Sequence, residues 1–363
     1  MRSALHVTYH VRGDASGIEA RANAIAVEQS VEMPVEAIDD ARIRSEIVGQ
    51  VESVAEIAPG RFAVRVALAA ETVGGDAGQL LNMLFGNTSL QDDVILHDVE
   101  LPDALAVAFG GPAHGLDALR KRVGAARRAL TCSALKPQGL SPDRLTDLAR
   151  RFAEGGIDYI KDDHGLAEQS SAPFAARVAA VAAALRETGA ATCYIPSLSG
   201  DLDRMRAQVA AATDAGLDAV MIAPMVAGVA TLQRLRRDYP QLIVMAHPAM
   251  AGAARIAPPL LIGKLFRLFG ADAVVFPNHG GRFGYAPETC HALAHAALTD
   301  WHGLRSAIPV PAGGMTPARV AEMLAFYGAD TMLLIGGALL AAREKLTAET
   351  AAFVAAVKDC DYD

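Results

Sequence analysis

Short apolar runs alternate with alanine-rich segments along most of this chain. Apolar runs of this length are typical of buried strands, and apolar residues three and four positions apart are typical of one helix face. After residue 112 the runs lie at 130–135, 157–161, 192–196, 219–223, 242–246, 273–277, 310–313 and 331–335. Helical patterns such as 173–187 and 317–327 separate them. This order predicts a (β/α)8 barrel, the TIM barrel, whose active sites lie at the carboxyl ends of the strands.

The first 111 residues have a different pattern. Apolar and polar positions alternate at 5–11 and 62–68, and the stretch 18–28 has a helical pattern. Alternation of this kind predicts half-buried strands, so we expect a smaller α+β domain of the ferredoxin-like type at 1–111. The barrel is then expected at 112–363, and the turn-rich "FGGPAHG" at 109–115 is the predicted linker.

Composition indicates which kinds of binding partner and which cellular compartment to expect. The chain is 52% hydrophobic, which is enough for a large core, and its net charge is −8 without a block rich in lysine or arginine. Nucleic acid and anionic membranes are therefore not expected as partners. Four cysteines without CxxC spacing favour a reduced, cytoplasmic protein. The N-terminal "MRSALHVTYHVRGD" and the lack of an 18-residue apolar run predict neither a signal peptide nor a transmembrane span.

Polar residues follow the predicted strands, where a barrel would gather them in one pocket. The second strand ends on "IKDDHG", and side-chain alternation places Lys161 and Asp163 on one side and Asp162 on the other. Ionisable groups at such a position are costly to bury unless they are paired, bind a metal or take part in chemistry. The remaining strand ends contribute Lys136, Ser197, His247, Asn278, His279, Gly313, Gly314, Gly336 and Gly337.

The glycine pairs suggest a phosphate site, because loops after strands seven and eight of this fold commonly present backbone N–H groups to phosphate. Structural interpretations stay open for each of these positions. Lys161 and Lys136 could form plain ion pairs, His164 could contact substrate rather than a metal, and His247 could be a core histidine. The "NHGG" segment and the glycine pairs could serve turns and packing.

Several motifs together resemble the ribulose bisphosphate carboxylase (RuBisCO) large-chain superfamily. They are "GGIDYIKDDH" followed by "SSAPF", with "LKPQGLSP", "PAGGM", "IGGA", "FGN" and "HDVELPDAL", and they span most of the chain in the family's order. The resemblance implies the two-domain fold expected above.

The resemblance also implies roles for individual residues. Lys161 would capture CO2 as a carbamate and, with Asp163, would bind Mg²⁺, while Lys136 would carry the proton of an enolisation. His247 matches the histidine after strand five, and the four glycines match a phosphate site. Glu28 and Asn87 resemble N-terminal-domain residues that complete the pocket of a partner subunit, which implies a homodimer.

Departures from the carboxylase pattern argue against carboxylation. His164 stands where carboxylases have a glutamate ligand, so Mn²⁺ or another divalent metal becomes an alternative to Mg²⁺. Pro248 replaces an arginine that helps to hold a second phosphate, which favours a monophosphate substrate. The carboxylase loop-six lysine has no counterpart in "FPNHGG", and "KPQ" replaces "KPK". The chain therefore resembles the RuBisCO-like, or form IV, proteins.

The expected reaction is metal-dependent enolisation of a phosphorylated, ketose-like substrate. The resemblance points to an isomerase or diketone enolase of methionine salvage acting on a methylthio-sugar phosphate. Decarboxylation or C–C hydrolysis of a 3-oxo sugar acid phosphate is the alternative. A binding protein without catalysis is a third possibility, although two retained lysines argue against it.

Overall fold

The computed structural model describes residues 3–281 and 283–360. Its N-terminal part is one antiparallel sheet in the order β2-β3-β1-β4, as expected for a ferredoxin-like domain. The alternating sequence of β1 gives alternating burial, so its apolar side chains all face the helices. The elements are β1 (Ala4–Arg12), α1 (Ile18–Glu28), β2 (Gln50–Ala58), β3 (Arg61–Ala69), α2 (Ala77–Phe85) and β4 (Val94–Glu100).

Short helices complete this part of the chain. Single turns lie at Val35–Ala37, Ala70–Thr72 and Asn87–Leu90, and a π-helical turn lies at Ile43–Ile47. Two helices, α3 (Asp103–Phe109) and α4 (Gly115–Arg122), lead into the second part. The expected domain boundary at 111/112 falls between them and stays a prediction.

The second part contains the eight strands that the apolar runs predict. The strands are β5 (Leu130–Leu135), β6 (Tyr159–Asp162), β7 (Cys193–Ile195), β8 (Ala219–Ile222), β9 (Ile243–Ala246), β10 (Ala273–Pro277), β11 (Ile308–Ala312) and β12 (Met332–Leu334). The helices are α5 (Pro142–Glu154), α6 (Phe174–Thr188), α7 (Leu202–Asp214), α8 (Pro224–Ala227), α9 (Val229–Asp238), α10 (Phe266–Leu268), α11 (Pro287–Leu298), α12 (Val320–Tyr327), α13 (Gly337–Leu340) and α14 (Leu346–Lys358). Short turns lie at Ala251–Ala253, Pro259–Leu265 (π), Pro317–Arg319 and Arg343–Lys345.

All paired strands of the second part are parallel. One run has the order β12-β5-β6-β7 and the other β11-β10-β9-β8. The two runs join through a bridge between Ser197 and Met221, and the Met221 N–H donates to the Pro196 carbonyl at 2.8 Å. Apolar side chains such as Tyr159, Met245 and Val310 fill the inside as a separate buried cluster. This is a TIM barrel with a packed interior, as predicted.

The amino ends of the barrel strands are held by buried ion pairs. Arg128 binds both oxygens of Asp158 at 2.7 Å. Asp272 pairs with Arg236 and accepts the His114 N–H at 2.8 Å. The polar residues at this end of the barrel stabilise the fold. Active sites of TIM barrels lie at the opposite, carboxyl end.

Backbone pairing connects the two parts of the molecule. The Leu96 N–H donates to the Arg255 carbonyl at 3.0 Å, and the Ala257 N–H donates to the Leu96 carbonyl at 2.9 Å. The segment after β9 thus lies along the edge strand β4, which covers that edge. No helix within residues 3–281 and 283–360 has the length and apolar character needed to cross a membrane.

Candidate active site

The loops after β5 and β6 bring Lys136 and Asp163 together. Lys136 Nζ lies 2.8 Å from Asp163 Oδ2, although 27 positions separate the two residues. Parallel pairing of the two strands sets Leu135 beside Asp162, so both chains leave the barrel at the same level. Gly165 also packs against this neighbouring loop, since a Cβ at this glycine would collide with the Gln138 amide. The first and second strand ends therefore form one cluster.

Asp163 is held as a carboxylate. Its Oδ1 accepts the Gly165 N–H at 2.9 Å and lies 3.3 Å from His164 Nδ1. Burial alone would raise the pKa of Asp163, but the Lys136 and Gly165 hydrogen bonds and the charges of Lys136 and Lys161 lower it to about 2. The group is therefore an ionised carboxylate at neutral pH.

Lys161 is buried beside Asp163, with 4% of its surface exposed. Its Nζ donates to the Asp162 carbonyl at 2.9 Å. Burial lowers the pKa of Lys161, because the ammonium ion loses hydration that nearby carboxylates only partly replace. A lysine of this kind has more neutral, nucleophilic amine at pH 7 than an exposed one.

Two histidines from distant strands stack at the mouth of the barrel. The rings of His164, after β6, and His247, after β9, lie 4.2 Å apart and nearly parallel. His247 Nδ1 accepts the Ala249 N–H at 3.1 Å, so the proton of the neutral ring lies on Nε2. Burial, with Lys161 and His164 nearby, lowers the pKa of His247 to about 2. His247 is therefore neutral and can donate a hydrogen bond through Nε2.

The resemblance implies a divalent metal, and Asp163 and His164 supply donor atoms of the kind that such a metal binds. Asp163 offers a carboxylate oxygen and His164 an imidazole nitrogen beside it. Within 3–281 and 283–360, no three His, Cys, Asp or Glu side chains converge closely enough to hold a metal ion. A further anionic oxygen would have to come from Lys161, which a carbamate would supply.

The glycine pairs follow β11 and β12, and β12 pairs directly with β5, the strand before Lys136. Gly313 and Gly314 have φ angles of +80° and +73°, which glycine adopts without strain. A Cβ at Gly314 would lie 2.6 Å from the Gly281 Cα, so the loops after β10 and β11 touch through backbone. Gly337 begins α13, and a Cβ there would meet nothing within 4 Å. The space beside Gly337 is therefore open to a ligand.

The structure places Asn278 and His279 away from this cluster. Asn278 is fully buried, where it accepts the Tyr327 hydroxyl at 2.6 Å and contacts the sulfur atoms of two methionines. The His279 ring packs on Phe326 with centroids 4.5 Å apart. Both side chains thus contact α12, and Asn278 continues the outer face of β10 on which Phe276 lies. Their part in the reaction stays a prediction.

Ser197 lies in the barrel, whereas Glu28 and Asn87 lie together on the N-terminal domain. The Ser197 N–H donates to Asp162 Oδ2 at 3.1 Å, so this serine closes β7 next to β6. Asn87 Nδ2 donates to Glu28 at 2.9 Å and to Glu32 at 2.8 Å, on the surface of the N-terminal domain. The structure thus joins the two predicted N-terminal residues and adds Glu32 to them.

Sequence reasoning missed two buried partners of the site, Arg177 and Tyr194. Both side chains contact the Asp162 carboxylate on the outer side of β6, where alternation had placed it. A charged residue within the apolar helix "FAARVAAVAAALRET" was the available signal for Arg177, because a buried arginine needs an anion. Tyr194 gave no comparable signal.

Comparison with known proteins agrees with this architecture. Residues 115–360 match the family "Ribulose bisphosphate carboxylase large chain, catalytic domain". The chain is 60% identical to the 5-methylthioribulose-1-phosphate isomerase of Rhodospirillum rubrum, over 98% of this chain and 97% of that protein. It is 34% identical to a 2,3-diketo-5-methylthiopentyl-1-phosphate enolase of Geobacillus kaustophilus, over 77% and 70% of the two chains.

A solved structure extends the match to three dimensions. The Rubisco-like protein from Rhodopseudomonas palustris superposes with a TM-score of 0.93 at 53% identity, covering 99% of each chain. The strand-end cluster, the two-domain fold and these similarities lead to one conclusion. The chain belongs to the ribulose bisphosphate carboxylase large-chain family, among its RuBisCO-like members.

Proposed function

We propose that this protein is a metal-dependent isomerase of a methylthio-sugar phosphate, with 5-methylthioribulose 1-phosphate as its substrate. The observation that carries the proposal is the pairing of Lys136 with Asp163 beside buried Lys161 at the mouth of the barrel. A base next to a metal-binding carboxylate suits removal of a carbon-bound proton. The 60% identity with an isomerase of this name supports that substrate over the one named for the less similar enolase.

Lys161 and Asp163 would hold the cation. The Lys161 amine, whose pKa burial lowers, is suited to react with CO2 and form a carbamate. Asp163 is already anionic, and His164 lies 3.3 Å from it as a nitrogen donor. When bound, Mg²⁺ or Mn²⁺ would polarise the substrate carbonyl and so acidify the adjacent C–H bond.

Lys136 is the proposed proton carrier. It would give up its ion pair when Asp163 serves as a metal ligand, and its amine would then face the substrate. Lys136 takes the proton from the carbon next to the carbonyl, which leaves an enediolate, and a proton returns at another carbon. Because Nδ1 of neutral His247 accepts the Ala249 N–H, its Nε2 would donate a hydrogen bond to a substrate oxygen.

The phosphate of the substrate is proposed to bind at Gly313, Gly314, Gly336 and Gly337. Because glycine has no side chain, an anion can approach the backbone N–H groups at these four positions. A Cβ at Gly336 would have Ala134 as its nearest neighbour at 4.0 Å, so the protein itself leaves this surface open.

A homodimer is proposed to complete the site. Glu28 and Asn87 are hydrogen-bonded to one another on the N-terminal domain, and the family resemblance assigns them to the pocket of a partner subunit.

Proton NMR in D2O tests the reaction. The protein would be incubated with bicarbonate, Mg²⁺ or Mn²⁺, and 5-methylthioribulose 1-phosphate. We expect loss of the proton signal next to the carbonyl together with the appearance of an isomer. Lys161→Ala should abolish both, whereas Arg122→Ala, at the amino end of the barrel, should not.

Other outcomes would identify the alternatives. Exchange and turnover only with a diketo-methylthiopentyl phosphate would indicate the enolase. CO2 release from a 3-oxo sugar acid phosphate, with no exchange in the first substrate, would indicate the decarboxylase. Wild-type turnover by Lys161→Ala would contradict the metal-dependent mechanism.

A further inference from the structure

The carboxylate of Asp162 lies on the outer side of β6 and is fully buried. Oδ1 accepts the Tyr194 hydroxyl at 2.6 Å, and Oδ2 accepts Arg177 Nε and Nη2, both at 3.2 Å. The Ser197 N–H also donates to Oδ2, at 3.1 Å. Three elements of the barrel thus converge on this side chain.

The backbone of Asp162 contacts Lys161, a residue of the proposed metal site. Its backbone carbonyl accepts Lys161 Nζ at 2.9 Å, on the inner side of the strand. Asp162 also lies between Lys161 and Asp163 in the chain. Fixing its side chain therefore fixes the peptide that holds the Lys161 amine and the point at which Asp163 leaves the strand.

Arg177 also holds the loop that follows β6. Its Nη1 donates to the Ala172 carbonyl at 2.7 Å and to the Ala167 carbonyl at 3.2 Å. The side chain is fully buried, and the Phe174 ring lies 5.3 Å from its guanidinium carbon. One arginine thus joins the end of β6 to the loop after it, which begins with Asp163 and His164.

Stability alone is a weak reason for such a network. A buried ion pair seldom stabilises a fold more than well-packed apolar residues of the same volume would. Hydrogen-bonded neighbours of metal ligands, in contrast, fix ligand geometry and commonly alter metal affinity by about 10–100-fold when they are removed.

We propose that Asp162, Arg177 and Tyr194 are positioning residues that hold Lys161 and Asp163 at the spacing a divalent cation requires. The proposal rests on the metal site of the proposed function. It assigns these three residues to cation binding by Lys161 and Asp163 and not to contact with substrate.

Tyr194→Phe tests this with the loss of a single hydroxyl group. Tyr159→Phe is the matched control, because Tyr159 lies on the neighbouring strand β6, is also buried, and donates its hydroxyl to the Leu119 carbonyl at 2.9 Å and not to Asp162. Mn²⁺ affinity would be measured by electron paramagnetic resonance, and the Lys161 carbamate by carbon NMR with ¹³C-bicarbonate. Melting temperatures would be recorded for both variants.

We expect Tyr194→Phe to weaken Mn²⁺ binding about tenfold and to reduce the carbamate signal, as loss of a ligand-orienting hydrogen bond does. Tyr159→Phe should lower the melting temperature similarly and leave both readouts unchanged. Wild-type affinity in Tyr194→Phe, or equal weakening in both variants, would overturn the positioning role alone. A wild-type protein that binds no Mn²⁺ and forms no carbamate would overturn the proposed metal site together with this role.

Discussion

Lys136 and Lys161 have the same side chain but different environments. Lys161 is buried, and loss of hydration lowers the pKa of its amine. The Lys136 side chain is 35% exposed and pairs with Asp163 from the rim of the barrel. One lysine is thus suited to serve the metal and the other to move a proton. The sequence identified both lysines, but this difference in burial only follows from the folded barrel.

Replacement of Lys136 by methionine should separate binding from catalysis. We expect kcat to fall by about 10²–10⁴-fold, the usual contribution of a general base. Mn²⁺ affinity should stay the same or increase, because no ammonium group competes for Asp163. Steady-state kinetics and Mn²⁺ titration measure the two effects.

Lys264→Met is the control for that experiment, because Lys264 also pairs with an aspartate, Asp98, at 2.6 Å, but lies between the domains. It should leave kcat unchanged. A Lys136→Met enzyme with normal kcat would assign the proton transfer to another residue.

His247 should make the metal-free protein less stable in acid. Its pKa is about 2 in the fold against an ordinary value of 6.5, so below pH 6.5 the unfolded chain binds a proton that the folded one does not. The free energy of unfolding should therefore fall by up to about 1.4 kcal/mol per pH unit as the pH decreases from 6.5 to 4. Asp163 contributes in the same direction only below pH 3.8.

Urea denaturation at several pH values, with chelator present, measures this effect. His247→Gln should reduce the slope between pH 6.5 and 4, whereas His291→Gln, on the exposed side of α11, should retain it. An unchanged slope in His247→Gln would mean that other groups cause the acid sensitivity.

At the scale of elements, strand ends determine what meets at the barrel mouth. The apolar runs predicted all eight barrel strands, and the observed β5 and β10 coincide with the predicted ranges. In the N-terminal domain the patterns predicted β1, β3 and α1 but gave no prediction for α2 and β4, nor for β2. That strand lies at the sheet edge and is mostly exposed, so its sequence lacks the alternation that reveals a half-buried strand.

Gly337→Ala should test the phosphate site without disturbing the fold. No atom lies within 4 Å of the added Cβ, so the melting temperature should not change. If phosphate approaches this backbone, KM should rise by about tenfold or more, as expected when a contact worth roughly 1.4 kcal/mol is lost. Inhibition by inorganic phosphate should weaken in parallel.

Gly314→Ala provides the contrast. Its Cβ would lie 2.6 Å from the Gly281 Cα and its φ is +73°. The melting temperature should therefore fall and KM should rise. An unchanged KM in Gly337→Ala would argue against phosphate binding at α13.

At the scale of the whole molecule, the proposed site needs two chains. Glu28→Ala and Lys161→Ala should each be inactive as homodimers. An equal mixture of the two chains should regain about a quarter of wild-type activity, because half of its dimers are mixed and each mixed dimer has one intact site of two. Activity after co-refolding or co-expression measures this recovery.

Lys136→Ala mixed with Lys161→Ala is the control. Both changes lie on the same barrel face of each subunit, so no intact site forms and no recovery is expected. Absence of recovery in the first mixture would indicate that Glu28 acts within its own chain or not at all.

The sequence by itself determined the βα repeat, the ferredoxin-like start, and the residues at the strand ends. Such features follow from local spacing, since the side-chain period and the apolar run lengths are properties of neighbouring residues. Tertiary structure decided which of these residues meet. The Lys136 ion pair with Asp163, the stacked rings of His164 and His247, and the packing of Asn278 against α12 are contacts between distant parts of the chain. Barrel closure brings together strands far apart in the chain, and no local pattern specifies the contacts that result.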